Sequence, residues 1–186
     1  MSAPIYEKIQ EKYDTACRKN KLTIVKYLLE TPSLRKLIQI EHDPIKLIFE
    51  AENYELGDYL LFQPEIDKSK KEEVMSHAFA MACYNKDLKM VKDLFFNDKY
   101  KDLISVEYNS LWCFRTAYAN QRKQILEFLI TDLKIPKNNE WVHREMFMIH
   151  PGKPEMKQFC QSLYLHNELS EKFPNQNKQS KVKPKI

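Results

Sequence analysis

Few residues of this chain are placed for bond-making chemistry. His143-Arg144-Glu145 supplies the H-x-E half of a zinc deaminase signature, in which zinc activates a water beside a glutamate. The P-C-x-x-C half is missing, and only the isolated Cys160 follows. The tripeptide reads better as an exposed helix start. His143 and His150 stand seven residues apart and can share a helix face, yet no carboxylate or thiol at a useful spacing completes a metal site. Cys17, Cys83, Cys113 and Cys160 are scattered with no CxxC pair, as expected of reduced thiols in a cytosol-like compartment. A catalytic thiol needs a neighbour that lowers its pKa, and the sequence places none beside Cys17 or Cys83, which read as small buried hydrophobes. Ser76 and Ser110 lack the setting of a nucleophile elbow. The chain has only two glycines, Gly57 and Gly152, which rules out a glycine-rich phosphate loop. The expectation is a protein that is not an enzyme and uses no cofactor and no metal.

Charge and hydropathy place the chain further. The formal net charge is +4, and residues 172–186 carry five lysines (Lys172, Lys178, Lys181, Lys183, Lys185) and no acid, so the rest is nearly neutral. That segment also holds Pro174 and Pro184 among Gln, Asn and Ser, and is expected to be a disordered basic tail behind a folded domain of residues 1–171. Such a tail either keeps the protein solvated or contacts nucleic acid or acidic lipid through counterion release. The folded part has no basic run interleaved with aromatics, which favours solvation. The longest run of apolar residues is seven, Ala78 to Tyr84, well short of a membrane span, and the first residues have no signal-peptide core. A cytoplasmic protein with no membrane contact is expected.

The elements that must carry these residues repeat. Residues 16–29 align without gaps on residues 82–95, an offset of 66. Glu50 to Leu61 lies between them, and Ala117 to Ile130 follows. The equivalent leucines are Leu28, Leu60, Leu94 and Leu129, spaced by 32, 34 and 35 residues. Each repeat reads as two short helices. The second helix puts apolar residues on one stripe, as in Leu22, Val25, Leu28 and Leu29, or Leu88, Val91, Leu94 and Phe95. The first offers small residues for close packing, such as Ala16, Ala78, Ala80, Ala82 and Ala117. No stretch alternates with period two, so no sheet is expected. Helices this short cannot bury their stripe alone, and neighbouring repeats must stack. The fold class expected is all-α, a helical-hairpin solenoid of about four or five repeats.

A period near 33 with this pattern resembles the ankyrin family, whose repeat reads TPLHLAA, two variable positions, GH, then an LEVVKLLL-like helix. Asp43-Pro44-Ile45-Lys46-Leu47-Ile48-Phe49 takes the TPLHLAA slot of the second repeat, where Asp43 can cap the helix and Pro44 open it. His77 to Cys83 fills the slot in the third repeat and Trp112 to Tyr118 in the fourth. The chain departs from the family at the Gly-His pair, replaced for instance by Lys86-Asp87 and Gln121-Arg122. Irregular loops are expected instead of hairpin fingers, with extra turns near Ser33 to Ile40. The resemblance runs over roughly residues 5–133. A capping pair is expected near Glu140 to Ile149 and Pro154 to Leu165, with Gly152 at its turn. A generic helical-hairpin solenoid with coincidental spacing is the rival reading.

The resemblance implies a non-catalytic module that binds another protein through a concave face. Carried over residue by residue, the variable positions are Arg18 and Lys19, Glu50 and Ala51, Tyr84 and Asn85, and Ala119 and Asn120, with Tyr108, Asn109 and Leu111 from a loop tip. Phe49, Phe79, Phe95, Phe96, Phe114 and Phe128 fall on apolar repeat positions and are mostly core. Tyr84, Tyr108, Trp112 and Trp141 fall at first-helix, loop or boundary positions, and either anchor an interface or plug gaps left by lost glycines. The eroded consensus also resembles ankyrin proteins of viruses and intracellular microbes, which implies an adaptor or inhibitor acting on a host protein, in the host cytoplasm.

Overall fold

The computed structural model describes residues 4–85, 88–149 and 153–172, the side chains of His42 and Ser110 aside. Among them every regular element is a helix and none is a strand. The chain divides into two compact units, Met1–Tyr108 and Asn109–Ile186, a boundary inside the span read from sequence as one domain.

In the N-terminal unit the elements are α1 (Ile5–Arg18), α2 (Leu22–Glu30), α3 (Pro32–Arg35), α4 (His42–Glu50), α5 (Tyr54–Leu61), α6 (Lys68–Asn85) and α7 (Leu88–Phe95), then a 3₁₀ turn at Lys101–Leu103. Most of each expected stripe is buried, with Leu22, Leu88 and Phe95 only half-buried. Val25, Leu28 and Leu29 of α2, Leu60 and Leu61 of α5, and Val91 and Leu94 of α7 are all in the core. So are Ala16, Ala78, Ala80 and Ala82 of the first helices, whose missing bulk lets α1 pack on α4 and α4 on α6. Each first helix also packs on its own second helix: α1 on α2, α4 on α5, α6 on α7. Pro32 opens α3, and Asp67 Oδ1 accepts from the Lys70 amide at 2.9 Å to cap α6.

The C-terminal unit holds α8 (Tyr108–Ala119), α9 (Lys123–Glu127), α10 (Glu140–Arg144) and α11 (Pro154–Lys172), with Tyr108 itself the last residue of the other unit. Both α9 and α10 widen into a π-helical turn, over Phe128–Asp132 and Glu145–Ile149. Asn139 Oδ1 caps α10 by accepting from the Trp141 amide. Ile125, Leu126, Phe128, Leu129 and Ile130 are buried where α11 packs on α9 and its π turn. The expected capping pair corresponds to α10 and α11, while Gly152 lies outside the described residues.

Several expectations change. α4 begins at His42, two residues before the expected Pro44, so Asp43 sits in its first turn and accepts from Lys46 Nζ at 3.0 Å instead of capping the helix. The acid still favours the positive helix end. Phe96 is 61% exposed, because Phe95 and Phe96 are adjacent on a helix end and one must turn outward. Lys172 is the last residue of α11, since the helix continues past the expected Leu165; residues 173–186, with the other four tail lysines, lie outside the described residues. No helix among the described residues is long and apolar enough to cross a membrane.

Candidate interaction surface

The variable positions are held by one backbone device used three times. At the end of α1, Asn20 takes φ 49°; at the end of α4, Glu52 takes 62°; at the end of α8, Gln121 takes 57°. Each stands eight residues before the equivalent leucine of its sequence repeat, Leu28, Leu60 or Leu129. The bonds match as well. The Lys21 amide donates to the Ala16 carbonyl and Asn20 to Cys17; Asn53 donates to Ile48 and Glu52 to Phe49; Arg122 donates to Ala117 and Gln121 to Tyr118. This pair of bonds around a left-handed residue is a Schellman motif, which satisfies carbonyls a helix end leaves open. The corresponding turn of the third repeat contains Lys86 and Asp87, outside the described residues. The first two turns are tied together, Asn20 Nδ2 donating to Asn53 Oδ1 at 2.7 Å.

Residues just before these turns point outward. Arg18 and Lys19 are exposed at the end of α1, Tyr84 and Asn85 at the end of α6, and Asn120 after α8. Arg18 donates from Nη2 to Thr15 Oγ1 at 3.2 Å, and Asn120 Nδ2 to the Thr116 carbonyl at 2.8 Å. Arg18 and Ala51 line one groove of about 380 Å³ between α1 and α4, together with Asp14, Glu41 and Leu47. Leu47 is 63% exposed there and was not singled out from sequence.

Other residues fall differently. Glu50 is half-buried, its Oε1 lying 2.6 Å from His77 Nε2, and the Tyr108 ring meets His77 edge-on at 6.4 Å between centroids. His77 thus joins two residues that sequence reasoning named and was itself passed over; its place in the TPLHLAA slot, 27 residues after Glu50, was the available signal. Tyr108, Asn109, Leu111 and Trp112 form the first turn of α8 and not a loop tip, with left-handed φ at Asn109 (46°) and Leu111 (57°). Leu111 is 2% exposed and faces the core, so it is withdrawn as a contact residue. Trp112 is half-buried, whereas Asn109 is exposed.

The residues weighed for catalysis are mostly enclosed. Burial pushes the Cys17 thiol up to about 11 and the Cys113 and Cys160 thiols up to about 12, which keeps them protonated and poorly nucleophilic at neutral pH. The Ser76 hydroxyl donates to the Leu103 carbonyl at 3.3 Å and accepts from the Ser105 amide at 2.8 Å. His143 is exposed and stacks on Phe147 at 4.7 Å. Glu145 is not part of an exposed helix start: it is 2% exposed, with Arg115 Nε donating to its Oε1 at 2.7 Å. Trp141 lies under the guanidiniums of Arg115 and Arg144, 5.8 and 5.2 Å away. Among the described residues no group of three His, Cys, Asp or Glu side chains is placed to hold a metal ion; His150 and the Ser110 side chain are not among them. The surface offers contact area and hydrogen-bonding groups fixed by helix ends.

Compared with protein-family models, with curated proteins and with solved structures, the chain matches none of them.

Proposed function

We propose that the chain is a non-catalytic, degenerate ankyrin-type repeat module that binds another protein, as an adaptor or as an inhibitor that occludes its partner. The observation that carries this reading is the Schellman turn at one repeat position after α1, α4 and α8, with exposed side chains just before it at Arg18, Lys19 and Asn120. Turns that repeat while their flanking side chains vary are what a recognition scaffold needs, because stability dictates the frame and leaves the contact residues free. The backbone held at helix ends loses little freedom on binding, which favours affinity. Long-range side-chain hydrogen bonds also support stacking: they link residues 27 to 42 positions apart, about one repeat, as in Lys46 to Glu73 and Tyr100 to Asp58.

The test begins with capture of partners from a native or host-cell extract by the full chain, identified by mass spectrometry. Binding of the purified partner is then measured for Arg18→Ala with Tyr84→Ala, and separately for Asn120→Ala. Weakened binding with an unchanged helical circular dichroism signal is expected from at least one variant. Full affinity in both would end the assignment of these positions.

A further inference from the structure

The α1–α2 hairpin carries a second surface, distinct from the turn positions except at Lys19. Lys8 and Lys12 of α1 and Lys19 just past its end follow one line, with Thr15 and Ala16 between them, since spacings of four and seven residues return to one helix face. Lys21, Ile24 and Leu28 do the same on α2, with Tyr27 beside them. Together these residues bound an open groove of about 840 Å³. Its floor is apolar: Ile24 is 49% and Tyr27 65% exposed, and the small Thr15 and Ala16 admit a close approach. Its rim is basic. Glu11 is the one carboxylate among the lining residues, and none of the four lysines is ion-paired among the described residues.

We propose that this groove receives an amphipathic helix of a partner protein, its apolar stripe against Ile24, Tyr27 and Leu28 and its acidic flanks against Lys8, Lys12, Lys19 and Lys21. The proposal rests on the reading of the chain as a protein-binding module and adds the chemistry of what it binds. Four lysines against the single Glu11 leave the rim with an excess of positive charge, which carboxylates on an incoming segment would offset. Ile24 and Tyr27 expose apolar surface whose removal from water drives association. Nucleic acid would satisfy the lysines and leave that floor wet; a basic or uncharged helix would do the reverse. An acidic amphipathic segment answers both halves of the site. From Lys8 to Lys19 the groove rises about 16 Å, so about three turns of a docked helix fill it.

Fluorescence anisotropy with the full chain tests this, using a labelled helical peptide of about fifteen residues with a leucine stripe and glutamate flanks. The control peptide carries lysines in place of the glutamates. The acidic peptide should bind saturably, and the basic one about tenfold more weakly or worse. Lys12→Glu with Lys21→Glu, and separately Ile24→Asp, should each weaken the acidic peptide about tenfold. Leu165→Ser, at an exposed position of α11 that lines neither surface, should leave peptide binding unchanged. The groove is wrong if both peptides bind alike or neither binds, if the groove variants bind as wild type, or if a single-stranded oligonucleotide displaces the acidic peptide. It is equally wrong if sedimentation shows a dimer that Ile24→Asp dissociates, since a second copy would then be the occupant. Failure of the peptide while an extract partner still depends on Arg18 and Tyr84 would remove the groove and spare the module. Peptide binding with no extract partner sensitive to Arg18, Tyr84 or Asn120 would do the opposite.

Discussion

Gly57 stands inside α5 at the repeat position that Val25, Val91 and Leu126 occupy elsewhere. Its missing side chain is answered within the same repeat. Phe49 takes the first-helix position that Cys17 and Cys83 fill, and a Cβ on Gly57 would meet its ring at 2.9 Å. The two residues form a small-for-large exchange. Gly57→Val alone should destabilise by about 2–3 kcal/mol through overpacking, and Phe49→Cys alone by about 3 kcal/mol through a cavity. The double variant should lose far less than the sum, and a double-mutant cycle of urea unfolding measures the coupling. A second pair behaves differently. Arg115→Ala strands the buried Glu145 carboxylate and should cost about 3 kcal/mol, while Arg115→Met with Glu145→Met should lie near wild type, read by the same unfolding transitions. Neither pairing is legible from sequence. Glu145 sits 30 residues from Arg115, and its burial depends on how α10 meets α8, which no local pattern records.

Element boundaries were easier to read than the backbone that ends them. The stripes of α2, α5 and α7 follow from apolar spacing, because burial selects residues every three or four positions whatever the loops do. The Schellman turns did not announce themselves, since glycine is the usual mark of a left-handed residue and Asn20, Glu52 and Gln121 are none. Holding an L side chain at that φ costs about 1–2 kcal/mol, part of which a glycine returns through its freer unfolded chain. Glu52→Gly and Gln121→Gly should therefore each stabilise by about 0.5–1 kcal/mol in thermal or urea unfolding. Asn20→Gly should gain less, because it also loses the hydrogen bond to Asn53. A loss of stability in Glu52→Gly and Gln121→Gly would mean that the side chains earn their place by contacts stronger than the strain. The first turn of α8 escaped for a related reason: Asn109 and Leu111 carry positive φ in residues that rarely adopt it.

At the scale of the molecule, the buried thiols set a pH dependence. Unfolded cysteines ionise near 9.0, whereas Cys17 does so near 11 and Cys113 and Cys160 near 12 when folded. Between those values the unfolded chain holds fewer protons than the folded one, so their stabilising contribution is complete below 9.0 and declines as pH rises towards 11–12. Urea midpoints measured from neutral to alkaline pH should fall over that window, and replacing Cys113 and Cys160 with Ala or Val should flatten the fall. A flat wild-type profile would contradict the burial of these thiols. Of the candidate surface, Arg18, Lys19, Tyr84, Asn85 and Asn120, the positions carried over from the ankyrin resemblance, are exposed. The resemblance missed Leu47, His77 and the lysine-rimmed groove, because a groove is made by two helices and a line of residues describes only one.

The short reach of the cross-element bonds has a consequence for how the chain finds its fold. Every long-range side-chain hydrogen bond described above, from Asn20–Asn53 to Arg115–Glu145, closes a loop of about one repeat. The entropy lost on closing such a loop grows only with the logarithm of its length, and none of these bonds joins residues much more than one repeat apart. On the proposed reading as a repeat stack, folding starts wherever two adjacent hairpins first collide and grows outward, so its speed is governed by the best neighbouring pair and not by chain length.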